Sequence, residues 1–476
     1  MKFNKKIVVA VSSAFLLMAG QIATADSTTD IVDALVAKGV LTEEEGRLIT
    51  KGHVAKQDKS SLVKEKEGTF SLETADGKNS MSVNGRIHFD YRHFGYDDNG
   101  TNAVAESKGS DTFDLRRARI GLKGKFAKYY SGEIVINAAG VSGSDIIDVA
   151  YLDVNWFEKA KLRFGQFKMP FSLEQLTSSN NIDFIERSFV DGQIPAKERG
   201  VQIFGEPILG TTYAVAIETG HKGAENTSSG ARELDNASDG LDVVGRFTAN
   251  LGEIAGNKDM VGHLGLALSK GDQTLGVDGI GGTQKTRSRS DLAFFTPTTP
   301  SMGAWSREVD RTRIGLEGAF AYGPLKIQGQ YVKANYEFMT AASTSRDYDI
   351  NSGYIQALWT ITGEKHSDRY KAGVFGGLKP AKNFDPDTLS GGAWEVGFRY
   401  GKFDGKDYKD GGYLSAGFAT AADYTLGVKF VANPNVRFMF DYMLTEFDDQ
   451  VSTGTTVAGK LITQEHAALF RTQLMF

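Results

Sequence analysis

The chain has no cysteine, so no disulfide contributes to its stability and no thiolate can serve as nucleophile or metal ligand. Histidine is scarce as well. The seven residues (53, 88, 93, 221, 263, 366 and 466) are scattered, His88 and His93 fall on opposite faces of one expected strand, and no HExxH pattern occurs. Neither a metal nor any other cofactor is expected. No stretch reaches 18 uninterrupted apolar residues, which excludes a transmembrane helix. Only nine prolines occur in 476 residues, and no linker divides the sequence after residue 80. That favours one large β architecture over the two or three domains usual for a soluble chain of this length. An excess of positive charge is missing too: 54 basic residues against 59 acidic give a net charge of −5, which offers nothing to nucleic acid.

What is present begins with an export signal. Lys2, Lys5 and Lys6 precede an apolar run from Ile7 to Ala19, and Ala23-Thr24-Ala25 is an A-x-A cleavage site, so residues 1–25 read as a signal peptide. Removing its three lysines from the 54 basic residues leaves 51 against 59, a net charge of −8. Residues 26–67 read as a helical hairpin and tether. Ile31, Leu35 and Val36 have helical spacing, Gly39 can end that helix, and Thr42-Glu43-Glu44-Glu45 is a capping-box pattern. The Lys/Glu/Ser-rich stretch from Gln57 is the expected mobile tether.

From Met81 onward the pattern has period two. Met81, Val83, Ile87, Phe89 and Tyr91 share one face; Asn84, Arg86, His88, Asp90 and Arg92 share the other. The same split recurs at Leu241/Val243/Phe247 against Asp242/Arg246, at Ile314/Leu316/Phe320 against Arg313/Glu317, and at Val436/Phe438/Phe440/Tyr442 against Arg437/Asp441. Bulky apolar groups on one face and charges on the other of nearly every strand predict a lipid-facing exterior and a wet interior. Seventeen strand candidates can be drawn, but a barrel with both termini in the periplasm needs an even number. The weakest is 369–378, broken by glycines and followed by a proline-bearing stretch; dropping it into a periplasmic segment leaves sixteen. Short turns then alternate with long polar loops at 94–112, 169–199, 220–239, 271–308, 402–421 and 448–462. The fold predicted is a 16-stranded antiparallel transmembrane β-barrel spanning 68–476, in the outer membrane of a Gram-negative envelope, with the helical segment periplasmic.

One connection is unlike the rest. Met169 to Arg199 carries Pro170, Pro195, Gly192 and a Ser/Asn run, so it cannot continue a sheet, yet it is rich in apolar residues (Phe171, Leu173, Ile182, Phe184, Ile185, Phe189). That much apolar surface needs a wall. The available one is the inside of the barrel, so this loop is expected to fold inward and narrow the lumen.

The densest basic stretch is Leu115 to Phe126. With Ala118, Ile120 and Leu122 toward lipid, Arg117, Arg119, Lys123 and Lys125 line the lumen, and Arg116 falls on the lipid parity, so it must lie above the membrane or beside a bulge. Arg86 adds to the row from the neighbouring strand; Lys168, Arg187 and Arg199 sit at the edges of the insertion or on it. Such a row of fixed donors can pass a phosphate or carboxylate along by paired hydrogen bonds. It can equally face Glu174, Asp183, Glu186, Asp191 and Glu198 across the pore, giving the transverse field of a general diffusion porin. A barrel hydrolase and an envelope tether built on 26–67 are the readings from other classes.

Several stretches together resemble the phosphate-selective porins O and P: NGRIHFDYRHF, FDLRRARIGLKGKF, RFGQFKMPFSLEQLTSSNNIDFIERSFV, YIQALWTITGE, GGAWEVGFRY and TLGVKFVANPNVRFMFDYM. The resemblance covers about 68–476. It implies a sixteen-stranded outer-membrane barrel, usually a homotrimer embedded in outer-membrane lipid, conducting inorganic phosphate or polyphosphate past an arginine ladder. It places Arg116 and Arg117 at the ladder's paired arginines, with Arg86 nearby.

Overall fold

A computed structural model describes residues 32, 34–49, 62–66, 69–98, 111–139, 146–219, 241–274, 286–287, 293–297, 308–339, 344–451, 456–457 and 460–476. The expected signal peptide lies outside them. Sixteen strands form the barrel wall: β1 Ser80–Asp98, β2 Thr112–Phe126, β3 Tyr130–Asn137, β4 Ile147–Phe157, β5 Ala160–Lys168, β6 Lys197–Gly205, β7 Thr211–Glu218 and β8 Asp242–Asn250. The second half comprises β9 Met260–Thr274, β10 Glu308–Tyr322, β11 Leu325–Met339, β12 Ser345–Thr360, β13 Ala393–Asp404, β14 Leu414–Val431, β15 Val436–Val451 and β16 Lys460–Met475. Each pairs antiparallel with the next, and β16 returns to β1, with Leu474 opposite Ile87 and Arg471 opposite Asp90. The carboxy-terminal Phe476 and Gly85 exchange both backbone hydrogen bonds (2.8 and 3.2 Å), closing the ring at its seam. Closure leaves no strand edge, the condition for a sheet to lie in hydrocarbon.

The wall obeys the parity read from the sequence. Ile87, Phe89, Val243, Phe247, Ile314, Leu316, Trp394, Phe398, Phe440 and Tyr442 are exposed on the outside, whereas Asp90, Arg246, Arg313, Glu317, Arg399, Arg437 and Asp441 are buried on the inside. The segment 369–378 is not a barrel strand. Tyr370–Lys371 and Val374–Phe375 form a minute hairpin that enters the lumen from the short-turn end. Tyr370 Oη lies 2.7 Å from His263 Nδ1, and Phe375 packs with Val261, Ala319, Ala321 and Leu173.

The interior departs from expectation in its outer half. Along β10–β16 the inward positions nearest the long loops are apolar: Val309, Ala334, Tyr336, Phe338, Tyr348, Ile350, Phe403, Ala421 and Phe447. They enclose Phe294 and Phe295, carried on Ala293–Pro297, a strand within the 271–308 loop that pairs with β14. The sequence reading of this loop as polar, and of the whole interior as wet, is corrected here. Apolar side chains on the inward parity need a partner, and the loop supplies it.

The 169–196 loop does fold inward. Lys168 Nζ donates to the carbonyls of Gln175 and Thr177, the latter at 3.0 Å, and Ser172 Oγ caps the turn Leu173–Leu176 by accepting from Gln175 N–H at 3.2 Å. Phe167, Met169, Phe171, Val190 and Ile194 pack on Ala216, Val244, Ala267 and Val332 of β7–β11. Ile185 packs on Met439, Met443, Ala467 and Leu469 of β15 and β16. The wall makes room by omitting side chains: a Cβ at Gly315 would meet Phe171 at 2.9 Å, and one at Gly427 would meet Phe184 at 2.8 Å.

The amino-terminal segment, considered by itself, is helical at 34–37 and 43–49, and Gly39 ends the first helix at φ +70°. The capping box forms: Glu45 N–H donates to Thr42 Oγ1 (3.3 Å) and Thr42 N–H to Glu45 Oε2 (2.9 Å). The bonds that the Thr42 N–H and Oγ1 donate to its carboxylate hold the Glu45 carboxyl below its ordinary pKa. Within the expected tether, Leu62–Lys66 is instead a short strand paired with Thr69–Glu73, where Leu62-Val63 begins an extended run.

Replacing Gly427 by valine puts branched carbon where the Phe184 ring sits, an overpacking worth about 1–3 kcal/mol. The loop is expected to become protease-sensitive while the barrel keeps its heat-modifiable mobility on gels; a loop as resistant as wild type contradicts this packing.

Candidate functional site: the lumen wall at the constriction loop

The basic row on β2 is shaped by an irregularity in pairing. His88 faces Arg117 and Asp90 faces Asp114, so β2 holds one residue more than β1 over this interval. That bulge brings Arg116 off the lipid parity, and it reaches the loop carboxylate of Glu186 through Nε at 3.1 Å. Glu186 also accepts from Arg92 at 2.5 Å and lies 3.9 Å from Arg471. Burial pushes its carboxyl up, but Arg116, Arg92, Arg471 and Arg117 outweigh burial and hold it well below the usual carboxylate range. Asp90 grips Arg471 with two bonds of 2.7 Å and Arg92 with a third. Three arginines thus converge on two carboxylates at the barrel seam.

Arg117 stands at the middle of this group and is 7% exposed. Its Nε and Nη1 are buried and have no hydrogen-bond partner among the described residues. Arg119, two residues on, pairs with Asp148 at 2.8 Å, and Lys197 shares that carboxylate at 2.7 Å. Arg86 donates to Ser179 Oγ (2.7 Å) and His88 Nε2 lies 3.2 Å from Asn180 Oδ1, so the β1 side chains hold the loop as well as line the wall. Lys123 follows on the inward parity and is exposed, as is Lys125. Some inward residues of β1–β5 are half-exposed (Asn84, Arg86, Glu133, Arg163) and others buried (His88, Asp90, Arg117, Asp148, Asp153), so water reaches this wall at the half-exposed positions.

The remaining expected residues lie elsewhere. Lys168 and Arg187 are spent inside the loop; Arg187 donates to the carbonyls of Glu174 (3.2 Å) and Thr177 (3.3 Å). Arg199 shares the outward parity of Val201 and Ile203 and donates to Gln166 at 3.1 Å, so its expected place in the lumen is corrected. Residues the sequence reading did not select also matter: Arg471 at the seam, and Arg163, fixed on Asp153 by bonds of 2.7 and 2.9 Å and 3.9 Å from the Tyr151 ring centroid. Their inward parity was the available signal.

The other acids expected on the loop have partners of their own or lie elsewhere. Asp183 is held by Lys326 (2.7 Å) and Gln356 (2.6 Å). Glu174 is held by Ser188 (2.6 Å) with Arg399 at 3.5 Å, and Asp191 lies 3.7 Å from Arg187. Glu198 is not on the loop at all but on the inner face of β6.

Among known proteins, the family described as phosphate-selective porin O and P matches residues 81–476. Porin O of Pseudomonas aeruginosa is 26% identical over 421 residues, covering 82% of this chain and 88% of that protein. The outer-membrane channel DcaP of Acinetobacter baumannii superposes with a TM-score of 0.50 at 12% identity, over 84% of this chain and 97% of that one, and shares the barrel fold. An anion-selective porin from Comamonas acidovorans superposes with a TM-score of 0.49 at 13% identity, over 84% and 100% of the two chains.

Glu186→Gln removes the charge that ties the loop to three arginines, and breaking buried pairs of this kind costs about 3–5 kcal/mol. Channel recordings are expected to become noisier, with brief sublevels absent from wild type; recordings as quiet as wild type would show that Glu186 does not anchor the loop.

Proposed function

The chain belongs to the family of phosphate-selective porins O and P, and from that premise we propose that it is a passive channel biased toward small anions, phosphate and polyphosphate among them. Its fold and its relatives are those of porins, which are outer-membrane channels and not enzymes. The observation that carries the anion reading is Arg117: a permanent cation, nine-tenths buried, with two nitrogens unpartnered among the described residues and Arg116 and Arg119 on either side. A buried guanidinium with two unfilled donors is costly, and a transient anion in the lumen relieves that cost. In this reading Arg86, Arg116, Arg117, Arg119 and Lys123 form the path, and Lys168 and Arg187 shape the loop beside it.

The general-diffusion reading required loop acids facing arginines across water. Against it, Asp183 and Glu174 are engaged by Lys326, Ser188 and Arg399, and Glu186 is left as the loop acid that meets the β1–β2 arginines. A homotrimer in outer-membrane lipid remains part of the proposal. Arg199 on the outward face supports it, because charge on that parity is destabilising against hydrocarbon and tolerable against a neighbouring subunit. Residues 1–25 as leader, 26–67 as periplasmic hairpin and tether, and 68–476 as barrel complete it.

A channel must release what it binds. Millimolar affinity corresponds to only about −4 kcal/mol, and a single charge-assisted bond contributes about 1.5–3 kcal/mol. Phosphate is therefore expected to block single-channel chloride current at low millimolar concentration, and Arg117→Ala to weaken that block about tenfold or more with the barrel still folded. Block unchanged in Arg117→Ala, or absent from wild type, overturns the assignment.

A further inference from the structure

A second bulge sets the charge on β4. Val135 faces Val149 and Ile136 faces Ile147, so β4 holds one residue more than β3 over this interval, and Asp148 is the extra one. A bulge re-aims the side chain it carries. Ile147 is exposed on the outward face, whereas Asp148 is buried on the lumen side, where its carboxylate meets Arg119 at 2.8 Å and Lys197 at 2.7 Å. The same bulge breaks the ladder with β5. Register between the two strands ends at Ala150 opposite Gln166, so the carbonyls of Ile147 and Asp148 lie beyond it.

One side chain serves both carbonyls. Gln166 Nε2 donates to Ile147 O at 2.8 Å and to Asp148 O at 3.4 Å. A regular strand turns successive carbonyls to opposite sides; here two in a row turn the same way, toward Gln166. Gln166 shares the outward parity of Leu162 and Phe164, where a carbonyl without a donor is costly because lipid offers none. Arg199 then fixes which way the amide lies. It stands opposite Gln166 in the β5–β6 register, and its Nε donates to Gln166 Oε1 at 3.1 Å. A guanidinium only donates, so Oε1 faces Arg199 and Nε2 faces the carbonyls. The contacts therefore cross the wall, from Arg199 outside, through Gln166 and the bulge, to Asp148 and Arg119 inside.

We propose that Gln166 and Arg199 are positioning residues for the lumen: acting through the bulge, they hold Asp148 on Arg119 and Lys197, and so set how much of that positive charge a passing anion meets. The inference rests on the reading of the β1–β2 arginines as an anion path, and it adds to that path a control placed on the opposite face of the wall. With Asp148 displaced, Arg119 and Lys197 lose the carboxylate they share, and the lumen becomes more anion-selective.

The test uses the full protein in planar bilayers under a potassium chloride gradient, where the zero-current potential gives the chloride-to-potassium permeability ratio without any phosphate. Asp148→Asn is expected to raise that ratio about twofold or more, and Gln166→Leu to raise it in the same direction. The double variant should add nothing to Asp148→Asn alone, because both changes act at one group. Arg199→Leu is expected to raise the ratio by less while conductance in molar salt stays at the wild-type level, and Arg199→Lys, which keeps a donor, to restore the ratio. Arg199→Leu puts an apolar side chain on the lipid parity, so it serves alone should Gln166→Leu fail to fold, as judged by heat-modifiable mobility. An unchanged ratio in Asp148→Asn overturns the inference. So does a wild-type ratio in Gln166→Leu and Arg199→Leu beside a raised one in Asp148→Asn, or full additivity in the double variant. A missing phosphate block would count against the path through Arg117 and leave these shifts standing.

Discussion

Everything in this molecule follows from the demand that each backbone N–H and C=O find a partner where no water can supply one. In hydrocarbon an open sheet edge is prohibitive, so the sixteen strands must close. Here the seam is sealed by the last residue of the chain. Once the ring is closed, the alternation of side chains is no longer a local matter: each strand has one lipid-facing parity and one lumen-facing parity, and a shift of one residue exchanges them. The bulge on β2 is a controlled exception. It changes the parity of one strand over a short interval and so gathers Arg116 and Arg117 on the loop side of the wall.

A lumen lined with ionised groups then has to satisfy them. Taking charges from water is expensive, and the attraction between partners repays it only when geometry is good. The constriction loop is the solution to that problem as much as a narrowing of the pore. Asp183 reaches Lys326, Glu186 reaches Arg92 and Arg116, and Asp441 accepts the Ile185 N–H at 2.6 Å. Arg399, Arg437 and Arg471 donate in return to loop carbonyls of Glu186, Asn180 and Ile185. The loop adds acids and carbonyls to those the wall already presents. Where the wall is apolar instead, along the outer parts of β10–β16, Phe294, Phe295 and Phe189 fill the space.

Most of the barrel was legible because period two survives in almost every strand, and the inward path of the loop was legible from its apolar content. Arg117, Arg119 and Lys123 fell where parity put them. Arg199 did not, and the reason is physical: parity cannot be counted through a long irregular insertion, so the phase of β6 had to be guessed. Arg471 was visible as an inward arginine, but only closure puts it beside Asp90. The Ala293–Pro297 strand was hidden for another reason. Its signal is two phenylalanines in a long polar loop, and the cluster around them draws on seven strands, β10 to β16, that no local window contains.

On the proposed reading of the arginine cluster as an anion path, the same geometry would let it bind anions without trapping them. Glu186 is an anion tethered within reach of Arg116 and Arg92, so a solute arriving at Arg117 meets guanidinium groups already partly engaged. It gains the bonds that Arg117 leaves unfilled and must compete for the rest. A tethered carboxylate cannot diffuse away, and it recaptures Arg116 whenever the solute loosens. In that proposal, affinity is held down by the loop's own charge rather than by distance, and the arginines that would attract an anion from outside are kept from holding it once it has arrived.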